Sequence, residues 1–534
     1  MPEVAISRSE RLLAMAIAAV TVAMRAVAFF HYRFDSDEPQ HLHVAWAWTA
    51  GLLQYRDVFD NHAPLFHMAM APLLRALGER SDILLYMRAP MVILWIIVCA
   101  AAFAIARRLY DVRIAMWTVL LLNVLPPFFL KSLEFRTDNL WNAFWMLAIA
   151  VLALSRRSTA MFFLAGLLLG CALGVSLKTM LLLITLAGAG AVTYVMRRGE
   201  EAVVIRPRHV VAMAAGIVIV PSIIAAYFVS RGAWGNFVYC AFRFNELVTV
   251  TRAPLMVWTP RLLFVPLMIV VLRIAWRHRL KTTNARFFFA VATTIFFLTL
   301  LGFWILISPR DFLPFLPFVA MFIAAAFARH RHFEAAMTVL VLVCLIAVGY
   351  YAQWLTNRTR EFITMENQLL NLSRPGDLVM DYKGETIYRR RPYYFILEFI
   401  TRNAIVRGLV SDTVPEDLVR TGCHLAQADG PQWPDRARDF MAANFVDLGR
   451  LRASGQWLRP DGSFTIAIPG EYVIVWKHGQ AAGSLDGAPY RGARTLAAGV
   501  HKFDDARPGE RVAVLWAPAF ARGFSPFHPR DLDF

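Results

Sequence analysis

The sequence predicts an α-helical polytopic membrane protein of about eleven transmembrane helices, followed by a C-terminal soluble domain on the outer side that runs from mixed α/β to β-rich. Three observations carry that expectation. Hydrophobic residues fill 58% of the 534 positions and charged ones only 17%, whereas soluble domains are about 45–50% apolar. Apolar runs of about 20 residues, the length that crosses a hydrocarbon core, recur up to Gln353. Beyond it the runs stop, and Gly/Pro/Asp turns separate short alternating stretches such as 464-FTIAIPGEYVIVWK-477 and 511-RVAVLWA-517, which is the pattern of β-strands.

The N-terminus, MPEVAISRSERLLAMAIAAV, has a basic start, and its apolar run continues to Phe30 without a small-residue cleavage site. It reads as a retained first span near 11–30 rather than a removed signal peptide. Further spans are expected near 83–106, 112–130, 137–154, 159–177, 179–196, 210–229, 261–276, 286–307, 312–328 and 334–353. Only Leu177-Lys178-Thr179 separates two of them, so that turn must be tight. Every second connection is rich in Arg or Lys: SRSER, RRLYDVR, SRRS, RRGEEAVVIRPRH, RHRLKTTNAR and ARHRH. Those connections should face the cytoplasm, and the alternate set should face outward. An odd number of spans then puts the C-terminus outside as well. The expected division is 1–353 for the transmembrane part, with 31–82 as its first outer loop, and 354–534 for the outer domain, with helices near 360–372 and 433–444.

Charge and cysteine usage narrow the function classes. The balance of 55 Lys+Arg against 38 Asp+Glu gives +17, which in a soluble chain would suggest nucleic acid. Here the cytoplasmic anchors account for it. Five cysteines with no C-x-x-C spacing argue against a disulfide framework or a thiolate metal site.

The first outer loop is too long to be a simple connector. In 33-RFDSDEPQHLHVAWAW-48 it crowds Asp35, Asp37, Glu38, His41 and His43 together. A helix cap with a first-turn acid explains an Asp-Glu pair in most proteins. The pieces 38–53 and 64–77 read as interfacial amphipathic helices, the first with Leu42, Ala45, Trp46, Thr49 and Leu53 on one stripe. Other ionisable groups also lie at membrane boundaries: Arg136 and Asp138 before a span, Lys178 in the tight turn, and Arg310-Asp311 before 312-FLPFLPF-318. Charge at such depth is costly unless paired, which makes each a candidate site residue. Snorkelling explains Lys178 alone, and interfacial anchoring explains Arg310 alone; their common outward face is what links them.

These residues reach a family. The segment 37-DEPQH-41 followed by 55-YRDVFDNHAPLFH-67 resembles the opening loop of the lipid-phosphate-sugar-dependent membrane glycosyltransferases of the C-type (GT-C) fold, in the protein O-mannosyltransferase and aminoarabinose transferase branch. That loop starts with an Asp-Glu pair and continues to Tyr…Asp-x-His-Pro-Pro-Leu. Asp60, His62, Pro64 and Leu65 match, while Ala63 stands where the family has its first proline. The aminoarabinose branch favours a lysine near His62, so the mannosyltransferase-like form is closer. Asp138 at the end of the second outer loop, Lys178 in 174-GVSLKT-179 and Arg310 extend the resemblance, which spans residues 10–350 in topology.

The resemblance implies an inverting enzyme of the inner (plasma) membrane that moves a sugar from a polyprenyl phosphate to a hydroxyl of a lipid, glycan or protein on the non-cytoplasmic face. It implies catalytic roles for Asp37, as the base, and for Glu38 and Asp138. Lys178, Arg310, His62 and Arg136 would bind the donor phosphate, with Asp60 and His41 in support. No obligatory cofactor is implied; a divalent cation would bind oxygens of Asp37 and Asp138. A zinc site of His41, His43, His62 and His67 is disfavoured, because a His-x-His pair on a helix points its rings apart. Two other readings remain open. A transporter or flippase would have midplane charges, for which Arg25 and Arg88 are candidates. A surface-glycan ligase or polymerase would have its long loop late in the chain. In the outer domain, Trp457, Tyr472, Trp476, Tyr490 and Trp516 read as sheet core or as sugar-stacking platforms.

Overall fold

A computed structural model describes residues 6–155, 158–197, 206–251, 254–278, 282–304, 306–328, 330–353, 355–428, 433–505 and 510–529. Parts of the basic connections SRRS, RRGEEAVVIRPRH, RHRLKTTNAR and ARHRH lie outside the described residues. The chain forms two compact units. One comprises residues 1–33, 61–69 and 85–358; the other comprises residues 34–60, 70–84 and 359–534.

The first unit is helical. Among the described residues seven helices are long and apolar enough to cross a membrane: Arg8–His31, Ile83–Leu109, Thr137–Leu154, Thr179–Met196, Pro207–Ser230, Asn284–Phe303 and Phe333–Ala352. Val112–Val124, Thr159–Val175 and Leu316–Phe327 are shorter apolar helices, and Pro254–His278 is a further helix of 25 residues. The chain is a multi-pass membrane protein. The span expected over 112–130 is broken at Leu125 into Val112–Val124 and Pro126–Lys131. Pro126 and Pro127 carry no N–H for the preceding turn, so the first helix ends and a second starts with proline in its first turn.

Helices Thr159–Val175 and Pro207–Ser230 approach until backbone meets backbone. A Cβ on Gly166 would lie 2.1 Å from the Met213 carbonyl oxygen, one on Gly170 2.6 Å from that of Ile217, and one on Gly216 2.4 Å from that of Phe163. In lipid, where burying apolar surface gives little drive for association, small residues at four-residue spacing permit such close packing. Ser176-Leu177-Lys178 makes the expected tight turn into Thr179–Met196.

Arg25 and Arg88, the candidates for midplane charges, are both buried within this unit. Arg25 lies between the rings of Trp95 and Phe129, 4.6 and 4.7 Å from their centroids, and donates to Ser132 Oγ at 2.9 Å. Arg88 donates to the carbonyl oxygens of Tyr32 and Arg33 at 3.0 Å each, at the C-terminus of helix Arg8–His31. A cation is favourable there because helical carbonyls lack partners.

The second unit combines helices and two sheets. Strands Val379–Met380, Leu425–Gln427, Leu451–Trp457, Ala513–Trp516, Gly470–Trp476 and Arg494–Leu496 lie side by side in that order. The first pair is parallel and the others antiparallel. Phe445–Asp447 pairs with Leu451–Trp457, and Gly479–Gln480 with Gly470–Trp476. A four-stranded antiparallel sheet runs Ser463–Ile466, Gly499–Asp505, Gly483–Leu485, Ala488–Tyr490. Phe464, Ile466, Tyr472, Ile474, Tyr490 and Val514 fill a core between the two sheets. The C-terminal part is therefore β-rich, and Tyr472 and Tyr490 serve as sheet core rather than as exposed platforms. Asp486 and Gly487, both at positive φ, close a two-residue hairpin of the kind such pairs favour. Helices Arg360–Leu372 and Asp435–Asn444 lie where the sequence indicates; Phe399–Val406 and Val414–Thr421 are additional.

Helix Asp37–Thr49 belongs to this second unit. The sequence suggests an interfacial helix with one apolar stripe. Instead Glu38 through Ala45 and Ala47 are all buried, and Leu53 lies beyond the helix end. The helix is covered on its polar side as well, because His41 and His43 are buried along with Leu42, Val44 and Ala45.

Candidate functional site

Two groups of charged side chains occupy the positions singled out from sequence, one in each unit. In the helical unit the chain turns between Pro126–Lys131 and Thr137–Leu154, and Asn139 fastens the turn by donating to the carbonyl oxygens of Lys131 (3.0 Å) and Glu134 (2.7 Å). That turn presents Lys131, Glu134, Arg136 and Asp138. Lys178 precedes the helix that starts at Thr179, and its Nζ lies 3.0 Å from Asp138 Oδ1 and 2.6 Å from Asp311 Oδ1. Asp311 is fixed by a capping box with Ser308, whose N–H donates to Asp311 Oδ2 at 2.7 Å. Arg136 Nε meets Asp138 Oδ2 at 3.3 Å, Arg310 Nε meets Glu134 Oε2 at 3.3 Å, and Lys131 Nζ meets Glu134 Oε1 at 2.5 Å.

Four cations thus share three carboxylates, and all three carboxylates are buried. Such pairing lowers the penalty of holding charge at a membrane boundary and leaves the group with excess positive charge. Trp141, Leu181, Phe296, Leu300 and Trp304 surround Lys178 and Asp311. Trp141 Nε1 donates to Thr179 Oγ1 at 3.0 Å, which holds the indole in place. A cationic group bordered by apolar side chains suits a ligand with an anionic head and a hydrocarbon tail. Charge-assisted bonds from Lys and Arg would bind the head most strongly where water is excluded.

In the second unit, Asp37 opens helix Asp37–Thr49 and forms an ion pair with Lys383. Glu38 Oε1 accepts the Asp35 N–H at 2.8 Å, which holds the turn before the helix. Asp60 Oδ2 accepts from Gln54 Nε2 at 2.7 Å. Lys383 stands on the turn 381-DYKGET-386. Asp381 organises that turn by accepting from Gly384 N (2.8 Å), Thr386 N (2.8 Å) and Thr386 Oγ1 (2.5 Å). His43 Nδ1 donates to the Ile387 carbonyl oxygen at 2.9 Å. Burial, then the neighbouring Arg391, pushes His43 down to about 4, so the ring is neutral at pH 7. Burial and the adjacent Asp381 push Glu385 up to about 7.

The structure brings Arg136, Asp138 and Lys178 together and links Arg310 to them through the Lys131–Glu134 turn. His62 is half-buried in the same unit; its neighbour Asn61 exchanges hydrogen bonds with Asn245 at 3.2 and 3.0 Å. Asn245 follows a π-helical turn at Tyr239–Arg243, a distortion often found near functional sites. Asp37, Glu38, His41 and Asp60 lie in the second unit. Among the described residues no group of three or more His, Cys, Asp or Glu side chains is disposed to hold a metal ion. Asp37 and Asp138, the expected oxygen ligands, lie in different units, and each is engaged by cations instead. Three residues in these groups were not singled out from sequence: Lys131, Glu134 and Lys383. Glu134 begins the stretch 134-EFRTDN-139 that also holds Arg136 and Asp138, which was its available signal. Lys383 had none, since a lysine beside a glycine turn is ordinary in a soluble domain.

Residues 61–225 match the family described as dolichyl-phosphate-mannose-protein mannosyltransferase. No curated protein matches the chain in sequence. Among solved structures, ArnT from Cupriavidus metallidurans bound to undecaprenyl phosphate is similar at 14% identity, with 82% of this chain and 97% of that one covered and a TM-score of 0.52. The apo state of the same protein gives 14%, 82%, 96% and 0.52. The Archaeoglobus fulgidus oligosaccharyltransferase in complex with Zn and sulfate is similar at 11% identity over 82% of this chain and 71% of that one, with a TM-score of 0.45. The likeness to ArnT establishes the fold, which is GT-C.

Proposed function

We propose that this chain is a membrane glycosyltransferase that moves a sugar from a polyprenyl-phosphate donor to a hydroxyl on a lipid, glycan or protein acceptor. The observation that carries the reading is the group around Lys178, where cations are held by buried carboxylates and bordered by apolar and aromatic side chains. The family match over 61–225 and the undecaprenyl phosphate bound by ArnT, which shares the fold, support it. Fold alone does not specify chemistry; the side chains of the site do.

In this reading the acceptor hydroxyl attacks the anomeric carbon as the bond to the lipid phosphate breaks, and the anomeric configuration inverts. Asp37 takes the hydroxyl proton, a task that requires an ionised carboxylate within hydrogen-bond reach. Negative charge grows on the departing phosphate, and Lys178, Arg310 and Arg136, with His62, stabilise it. Asp138, Asp311 and Glu134 hold those cations, while Glu38, Asp60 and His41 shape the segment that carries Asp37. The chain would lie in the inner membrane with its second unit on the non-cytoplasmic side, as the basic connections indicate. The transporter reading loses its main residues. Arg25 is enclosed by Trp95, Phe129 and Ser132, and Arg88 caps a helix, so both have structural roles.

The test is transfer by the purified chain in lipid vesicles supplied with polyprenyl-phosphate sugars, read as release of free polyprenyl phosphate with a labelled glycan, lipid or peptide product. Release without any glycosylated product would reduce the reading to a hydrolase. No release from any such donor would reject it.

A further inference from the structure

We infer that Lys383, on the turn after strand Val379–Met380, is a positioning residue that holds the Asp37 carboxylate ionised and aimed for the acceptor hydroxyl. The inference rests on the reading of Asp37 as the base and adds a residue from the C-terminal part of the chain to that reaction. Lys383 and Asp37 form an ion pair in which the side chains are only 8% and 21% exposed. The apposition is built from both sides. On one side, Asp381 accepts three hydrogen bonds from its own turn, and the Lys383 N–H donates to Glu385 Oε2 at 2.8 Å. On the other, Gly384 adopts φ +107° directly against helix Asp37–Thr49, and a Cβ there would lie 2.8 Å from His43 Cβ. Only glycine fits that backbone and that gap, so turn and helix are locked in one register with Lys383 facing Asp37.

A staple between helix and turn is the plainer role for such a pair, yet it explains little. A buried ion pair contributes little net stability, because desolvation offsets its attraction. The His43–Ile387 hydrogen bond and the Tyr394 hydroxyl bonded to the Tyr55 carbonyl already fasten these segments. The chemistry offers a stronger reason. In the transfer step the acceptor O–H breaks and its proton goes to Asp37. The hydroxyl oxygen bonds the anomeric carbon, and the electrons of the broken C–O bond leave with the lipid phosphate. The base must therefore enter the step as a carboxylate, and an ammonium at hydrogen-bond distance favours that form. Glu398 and Glu385 lie near Lys383 and favour its charged form, and Asp35 accepts the Asp37 N–H at 3.3 Å. Removal of the Lys383 ammonium withdraws a cation paired with Asp37 and so favours protonation of its carboxylate.

The test uses the full chain in vesicles with the polyprenyl-phosphate sugar that supports wild-type transfer, and reads kcat/KM against pH for Lys383→Met and Lys383→Arg. The acid limb of that profile reports the essential base of the free enzyme. Lys383→Met is expected to move the limb upward by about one pH unit, so that the variant is roughly tenfold slower than wild type on the limb and within about threefold of it on the plateau. Lys383→Arg should leave the limb in place. If Lys383→Met does not fold, Lys383→Gln provides the same comparison. A variant with the wild-type limb, or with one uniform loss at every pH, overturns the inference and leaves the glycosyltransferase reading standing. A wild type that transfers nothing overturns both.

Discussion

Lys178 touches two carboxylates from distant stretches of chain, Asp138 and Asp311, so its removal has two effects. It withdraws a cation from the proposed leaving phosphate, and it leaves two buried acids facing each other. Lys178→Met should lower transfer by about 10²–10³, the range seen when one electrostatic contact to developing charge is deleted. Lys178→Arg, which keeps the charge, should retain far more activity. Single-turnover release of polyprenyl phosphate separates the two, and equal rates for Met and Arg would argue against a charge role. A second residue effect concerns pH. The Glu385 carboxyl titrates near 7 in the folded chain against an ordinary value of 4.5, so between those values the folded state binds the extra proton. Its contribution to stability is therefore present below about 4.5 and lost as pH rises towards about 7. Thermal melting of Glu385→Gln in detergent should lack that decline, and a variant that keeps the wild-type slope would assign the decline to another group. At this scale the sequence was informative where ionisable residues meet apolar runs. Lys178, Asp138 and Arg310 could be picked out because charge at a membrane edge is costly. Lys383 could not, because its partner is 346 positions away and nothing local marks it.

Among the elements, the first outer loop shows how an apolar pattern can mislead. Leu42, Ala45, Trp46 and Thr49 do fall on one helical stripe, but helix Asp37–Thr49 is buried around most of its circumference. Spacing reports which residues prefer burial, whereas His43 is buried by neighbours that arrive from far along the chain, Gly384 and Ile387 among them. Gly384→Ala forces a Cβ into His43 at a left-handed φ, and should destabilise the second unit by about 1–3 kcal/mol, typical of overpacking. Protease resistance of the purified chain reads this effect, and unchanged resistance would mean that the turn relaxes freely. In the helical unit, Gly170→Val should disrupt the packing of Thr159–Val175 on Pro207–Ser230, because the Ile217 carbonyl already occupies that space. A lower melting temperature is the expected result. The proline break at Leu125 was present in the sequence as Leu-Pro-Pro, but the continuous apolar run concealed it.

For the whole molecule, the polytopic helical part and the β-rich end were legible from runs of about 20 apolar residues and from alternation. The grouping of helix Asp37–Thr49 with residues 359–534 was not, because it depends on tertiary contacts that leave no periodicity. It has a consequence for truncation. A chain ending at residue 358 would lose Lys383, Gly384 and Ile387, which surround this helix, and should lose transfer entirely even if its membrane helices insert. Retention of transfer by such a chain would contradict the role given to the C-terminal part.

The most direct test of the central claim compares wild type with Asp37→Asn at matched expression, measuring transfer of radiolabelled sugar from polyprenyl phosphate to acceptor. Asparagine keeps the size and hydrogen bonding of aspartate but cannot accept the proton. A fall of a hundredfold or more, about 2.7 kcal/mol of barrier, is expected, with donor binding retained. Transfer at the wild-type rate by Asp37→Asn would contradict the claim.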